Sequence, residues 1–168
     1  MKVSKLLARF MFLASVCIAA SSCGNDDETN VGPGGDTPAE KPTHAFVYYQ
    51  FAVTKDLKSA VDVKAVYTNE NGLNDTVAVN DTAWSKVIRV SIPYSGKVKA
   101  VLSKKTGFEP DRQKYRIGIT GTTSYNYENG NSFHSSSVSS STTVSAQNLD
   151  GLIDIYLSRP HEWTVDVK

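Results

Sequence analysis

The sequence predicts an all-β protein built as an antiparallel β-sandwich, of an immunoglobulin-like or transthyretin-like type. From residue 44 onward, apolar and polar residues alternate, and β-branched and aromatic side chains dominate, as in strands with one buried face. Turn-forming pairs such as Asn71-Gly72 and Asn129-Gly130 separate these segments. A lipocalin-like barrel is the alternative, because a similar number of strands can also close on themselves.

The predicted domain, residues 44–168, is long enough to enclose one hydrophobic core. We find no window with the apolar spacing of a long helix. The predicted strands are residues 45–54, 60–68, 75–80, 85–94, 97–104, 113–128, 131–146, 152–158 and 162–167.

The strongest local signal is Asn129-Gly130, which favours a two-residue type I′ turn because both positions need a positive φ. Pairing outward from this turn sorts apolar from polar residues on both arms, which a wrong register would not do. Residues 132–145, of which 10 of 14 are Ser or Thr, are therefore predicted to form a strand with a hydroxyl-lined outer face. The predicted pairs are Tyr115 with Val144, Ile117 with Thr142, Gly121 with Val138 and Tyr125 with His134 on one face, and Lys114 with Ser145, Arg116 with Thr143 and Thr122 with Ser137 on the other.

Two further reversals are predicted. A three-residue loop at Tyr94-Ser95-Gly96 would form a hairpin, and a turn at Asn71-Gly72 with an even offset would form another. The first would pair Ile92 with Val98, Val90 with Ala100 and Ile88 with Leu102. The second would bring Val63, Ala65 and Tyr67 alongside Val77 and Val79.

The first 22 residues have the three regions of a secretory signal: a basic start, an apolar run over residues 10–20, and the small pair Ser21-Ser22. The apolar run is shorter than the roughly 20 residues that a membrane-spanning helix needs. We therefore expect residues 1–22, including Cys17, to be removed as a signal peptide.

Cys23 follows this segment directly and is the one cysteine left without it, so an internal disulfide is excluded. Residues 18–23, Ile-Ala-Ala-Ser-Ser-Cys, resemble a lipobox, although Ala20 stands where leucine is usual. The resemblance implies that Cys23 receives a diacylglyceryl thioether and becomes the first residue of a mature lipoprotein. The alternative is an ordinary signal peptide followed by a chance cysteine.

An acidic cluster, Asp26, Asp27 and Glu28, lies just behind Cys23. It is similar to the export signal of surface lipoproteins in the Bacteroides group, which implies a position on the outer face of the outer membrane. A solvated spacer on a periplasmic protein is the alternative. Residues 29–43 are rich in Gly and Pro, so residues 23–43 are predicted to be a flexible tether with a span of about 25 Å.

Composition and motifs exclude several classes of function. The predicted domain has 14 Lys and Arg against 12 Asp and Glu, a net charge of +2. This charge is too small to give the basic surface that a nucleic-acid binder needs. The three histidines, His44, His134 and His161, are widely separated, and no Cys/His cluster, nucleophile motif or phosphate-binding glycine loop is present. We therefore expect no nucleic acid, metal, cofactor or catalytic residue, with a glycan-processing enzyme kept as an alternative.

The tip of the long predicted hairpin carries aromatic side chains that are candidates for stacking on a ligand, namely Tyr125, Tyr127 and His134. The more common arrangement is an aromatic cluster that stiffens the hairpin. We expect this tip to project beyond the sandwich. Trp84 and Trp163 are predicted to be core or sheet-edge residues.

Two triplets, Asp75-Thr76-Val77 and Asp81-Thr82-Ala83, are similar to the O-glycosylation signal of the Bacteroides group. The resemblance implies that Thr76 and Thr82 carry glycans. The alternative is that both threonines are present for their β-propensity beside turns.

Together these features predict a lipid-anchored, surface-exposed outer-membrane protein that binds a glycan or another envelope protein and is not an enzyme. Its predicted partners are membrane lipid, through acylated Cys23, and that ligand. A structural or assembly subunit of an envelope complex is the alternative.

Overall fold

The structure is a computed structural model, which describes residues 41–130 and 133–168, with the backbone alone at 133–135. The described residues form eight strands and two helices. They are β1 (His44–Val53), α1 (Lys55–Ala60), β2 (Val61–Thr68), β3 (Asn74–Val79), β4 (Ala83–Ser91), β5 (Tyr94–Lys104), β6 (Lys114–Tyr127), β7 (Phe133–Ser145), α2 (Ala146–Ser158) and β8 (Glu162–Val167).

The strands form two antiparallel four-stranded sheets that are not closed into a barrel, which confirms the predicted sandwich and excludes the lipocalin-like alternative. The first sheet has the strand order β4-β1-β6-β7, and the second has the order β3-β2-β5-β8. The first two strands lie in opposite sheets, whereas in an immunoglobulin constant domain they pair within one sheet.

The core lies between the two sheets and is filled by alternate residues of most strands, together with buried residues of α1 and α2. Phe51 stacks between two tryptophans, with ring centroids 5.6 Å from Trp84 and 6.0 Å from Trp163. Trp163 is 4% exposed, and Trp84 is partly buried beside the core. Both positions agree with the predicted core or sheet-edge roles.

The register of the long β6–β7 hairpin is confirmed at every predicted pair, from Lys114 with Ser145 to Tyr125 with His134. The predicted turn type is wrong. Among the described glycines only Gly72 and Gly107 have a positive φ, and the Gly130 N–H donates to the Tyr127 carbonyl at 3.5 Å instead. The alternation of the two arms therefore determines the register without a type I′ turn.

The β2–β3 hairpin also has the predicted even offset, since Val63 pairs with Val79 and Ala65 with Val77. Gly72 has φ 77°, the left-handed conformation that its turn requires.

The predicted β4–β5 hairpin is wrong, because these consecutive strands belong to opposite sheets. β4 pairs with β1, and β5 pairs with β2 and β8. The residues expected to face one another, such as Val90 and Ala100, are both buried, but each enters the core from its own sheet. Alternation shows which side chains face inward, and it cannot distinguish a neighbour in the sheet from one across the sandwich.

The predicted strand at 152–158 is also wrong, because these residues belong to α2. Leu149, Ile153 and Tyr156 are the buried residues of this helix, at the i, i+4, i+7 spacing of a helical face. Within the short window 152–158, Ile153, Ile155 and Leu157 also alternate as in a strand, so the window alone fits both periods. The short helix α1 was not predicted either. No described helix is long and apolar enough to cross a membrane.

Thr54 joins α1 to the first sheet through one hydroxyl. Its Oγ1 accepts hydrogen bonds from the Leu57 N–H at 3.3 Å, as an N-cap, and from the Gly118 N–H at 3.1 Å.

Thr54→Val keeps the shape of this side chain and removes the acceptor of both N–H groups. We expect a loss of about 1–2 kcal/mol in the free energy of unfolding, measured by urea denaturation. Thr106→Val, at an exposed loop position, is the matched control and should change stability little. Equal stability of the two variants would contradict this role of the Thr54 hydroxyl.

Candidate functional site

The predicted lipidation residue Cys23 and the export cluster Asp26, Asp27 and Glu28 lie outside the described residues. Both proposals therefore rest on the sequence.

The tyrosines of the hairpin lie within the fold and not on a projecting tip. Tyr125 is 6% exposed and packs edge-on against Tyr127, with 5.4 Å between ring centroids. Burial and the neighbouring Tyr127 hydroxyl raise the pKa of Tyr125 to about 12. The Tyr127 hydroxyl donates to the Lys168 carbonyl at 2.8 Å.

β1 pairs with β6 as far as Tyr127, so the β6 arm is supported up to its end instead of projecting. A ring that stacks on a ligand needs an exposed face, and Tyr125 has none. The pair has the geometry of the alternative given above, an aromatic cluster that stiffens the hairpin. His134 lies opposite Tyr125 in the strand register, and its side chain is outside the description.

The two predicted glycosylation residues lie near sheet edges. Thr76 is exposed on the edge strand β3. Thr82 is partly buried in the turn before β4, where its N–H donates to the Asp81 carboxylate at 2.6 Å and its carbonyl accepts from the Val53 N–H at 2.7 Å. A modifying enzyme would therefore reach Thr76 more easily than Thr82.

The outer face of the first sheet carries neutral hydrogen-bonding side chains on all four strands. Strand pairing aligns Ser85, Gln50, Thr122 and Ser137 in one row across the sheet, and Ala83, Ala52, Thr120 and Ser139 in the next. The Thr120 and Ser139 hydroxyls are hydrogen-bonded at 2.8 Å. We call the polar members of these two rows the hydroxyl face: Gln50, Ser85, Thr120, Thr122, Ser137 and Ser139.

A groove crosses the hydroxyl face because its central residues are small. One depression of about 400 Å³ is lined by β1, β4 and β6, and a second of about 260 Å³ is lined by the end of β1, β6 and β7. The linings of the two depressions share Ala52 and Thr120, so the depressions lie side by side on this face. In the second depression, a Cβ on Gly118 would lie 2.6 Å from the Ser141 Cβ, so only glycine fits there. The groove has the volume of a small-molecule site.

Aromatic side chains border the hydroxyl face on one side. Phe46 and Tyr48 alternate with buried residues of β1, so they share the outer face with Gln50, and both are partly exposed. Val87, which is 50% exposed, pairs with Tyr48 in the next strand. The groove therefore has a neutral polar floor beside an aromatic and apolar margin.

Charged groups lie at the ends of the outer face, away from its centre. At one end Arg89 donates to both carboxylate oxygens of Glu128, at 3.1 and 2.8 Å, and lowers the pKa of that carboxyl. At the other end Arg116 lines the second depression, and its guanidinium makes no ion pair within the part of the chain that the structure describes. The central groove can therefore hold a neutral polar ligand without leaving a buried charge unpaired.

A separate basic cleft of about 290 Å³ lies beside β5 and is lined by Lys99, Arg159 and His161, among others. Both Arg159 and His161 follow the C-terminal end of α2, where the positive charge of Arg159 offsets the helix dipole and His161 Nε2 lies 2.8 Å from the Tyr156 carbonyl oxygen. The end of α2 therefore accounts for the position of these two residues, and no ligand is needed to explain it. Among the side chains of residues 41–130 and 136–168, no group of three His, Cys, Asp or Glu could hold a metal ion.

Part of the hydroxyl face was predicted from the sequence. The β6–β7 register placed Thr122 opposite Ser137 on a hydroxyl-lined face before any tertiary information was used. Gln50, Ser85 and Tyr48 were missed, because their place on the same face depends on β1 and β4 pairing beside β6. Alternation within β1 and β4 is consistent with their outward direction, but it does not indicate which strands flank them.

We compared the chain with protein-family models, with curated proteins and with solved structures, and none of them matches it.

Proposed function

We propose that this protein is a surface-exposed outer-membrane lipoprotein that binds a glycan in the groove of the hydroxyl face and does not catalyse a reaction. The secretory signal, the lipobox-like segment ending at Cys23 and the acidic cluster behind it support the location. The groove of the hydroxyl face supports the proposed glycan binding.

The observation that carries the glycan proposal is the chemistry of this groove. A sugar presents hydroxyl groups at its edges and C–H groups on the faces of its ring. The hydroxyls and the one amide of the hydroxyl face can donate to and accept from sugar hydroxyls, since each Ser or Thr does both. The neighbouring ring of Tyr48 offers an apolar surface for the C–H face of a sugar. The neutral centre of the groove suits an uncharged polyhydroxylated ligand better than an ionic one.

Gln50→Ala and Tyr48→Ala should each weaken glycan binding about tenfold, which corresponds to a loss of about 1.4 kcal/mol for a lost hydrogen bond or ring contact. The full-length chain in detergent would be applied to an array of bacterial and plant polysaccharides. The strongest binder would then be titrated by calorimetry against the wild type and both variants.

Ser103→Ala, on the outer face of the second sheet, is the matched control and should bind like the wild type. The glycan proposal fails if no polysaccharide binds, or if the two groove variants bind as well as the control. Co-purification of a stoichiometric envelope protein without any glycan binding would favour the alternative, an assembly subunit. Hydrolysis of a polysaccharide would contradict the non-enzymatic assignment.

Thr76 and Thr82 stay proposed glycosylation sites. The exposure of Thr76 on an edge strand supports the first of them.

A further inference from the structure

The four edge strands of the sandwich differ in how they are protected against pairing with another strand. Natural sheets protect their edges with short strands or with charged side chains. β3 and β8 have six residues each and carry Asp75 and the pair Glu162 and Asp166, respectively. β4 carries Lys86 and Arg89.

β7 has neither form of protection. It is 13 residues long, contains no Asp, Glu, Lys, Arg or Pro, and is the last strand of the first sheet. Its Val138 is 59% exposed. A long, uncharged edge strand of this kind is a template for the addition of another strand.

Over residues 137–145, the pattern of apolar and hydroxyl residues in β7 is symmetric about Ser141. Three residues before it stands Val138, three residues after it stands Val144, and all the residues between them are Ser or Thr. If two copies of β7 pair antiparallel with Ser141 opposite Ser141, then Val138 lies opposite Val144. Ser139 lies opposite Thr143, and Ser140 opposite Thr142.

In this register the overlapping residues 137–145 pair by type, since each valine meets a valine and each hydroxyl meets a hydroxyl. Val138 and Val144 also belong to the same face of the strand, so the pairing keeps the two faces of the sheet distinct.

We propose that β7 is a self-association edge, at which two copies of this chain pair antiparallel about Ser141. The self-complementary sequence favours a second copy over a different partner, because a two-fold symmetric interface requires each surface to complement itself. The absence of charge in β7 means that no like charges oppose one another in the pair. The first sheets of the two copies would then form one continuous eight-stranded sheet, with the two hydroxyl faces on the same side.

Charge placed at the symmetry centre tests this proposal. Ser141 is exposed, so a longer side chain there is tolerated by the monomer. Ser141→Lys would place two ammonium groups directly opposite one another in the dimer, and Ser141→Glu would place two carboxylates there. Each variant alone should dimerise at least about tenfold more weakly than the wild type. An equimolar mixture should recover dimers, as heterodimers.

The measurement is sedimentation equilibrium of the full-length chain in detergent over a range of protein concentrations. Ser103→Lys adds the same charge on the second sheet and should dimerise like the wild type, which separates the edge effect from any shared micelle. Urea unfolding of the Ser141 variants, measured at a concentration at which the wild type is monomeric, should match the wild type and shows that they remain folded. A wild type that stays monomeric throughout the range, or a Lys and Glu mixture that forms no more dimer than either variant alone, overturns the proposal. No glycan is present, so the result does not depend on the proposed function.

Discussion

Cys23→Ser should release the protein from the membrane fraction. Each methylene of a buried acyl chain contributes about 0.8 kcal/mol to membrane binding, so two or more long chains on Cys23 would hold the protein essentially permanently. The serine hydroxyl cannot form the thioether. We therefore expect the variant in the soluble fraction after detergent phase partition, and an intact mass without the lipid increment that the wild type shows.

Cys17→Ser is the matched control, because Cys17 lies within the predicted signal peptide. This variant should partition and weigh like the wild type after processing. The lipoprotein proposal is wrong if the Cys23 variant still partitions with the membrane, or if wild-type protein carries no added lipid mass.

Trp163→Ala should destabilise the domain by about 3–5 kcal/mol, the usual cost of removing a large buried aromatic side chain. Trp163 is 4% exposed and stacks on Phe51. It also packs directly on Gly121 of the opposite sheet, where an added Cβ would overlap the indole ring. This contact joins β8 to β6 across the core, so its loss affects both sheets. Urea denaturation of the purified chain measures the effect.

A double-mutant cycle tests the contact itself. Gly121→Ala alone should cost about 1–3 kcal/mol by overpacking, because its Cβ forces Trp163 to move. In the Trp163→Ala background the same change should cost much less, since the space is then empty. Trp84→Ala, at the partly buried tryptophan, should cost less than Trp163→Ala. If the losses in unfolding free energy of Gly121→Ala and Trp163→Ala were additive, the contact with Trp163 would not be the reason that residue 121 is glycine.

Local patterns were sufficient for the two hairpins whose strands are adjacent both in the chain and in the sheet. The β6–β7 and β2–β3 hairpins have the predicted registers, because alternation on two adjacent arms leaves one offset that sorts both faces. The same patterns failed at residues 152–158. There the helical spacing is clear only when Leu149, outside that window, is read together with Ile153 and Tyr156.

The sequence by itself determined that the domain is all-β and which side chains of most strands face inward, and it predicts that residues 1–28 direct export and acylation. These properties depend on residues that are neighbours along the chain or within one hairpin. Only the tertiary structure decided that β4 and β5 belong to opposite sheets, and that β1 and β4 lie beside the hydroxyl-rich strands to complete a groove. The physical reason is that an inward-facing side chain gains the same burial against a neighbouring strand or across the sandwich, so the choice of partner depends on the packing of the whole domain.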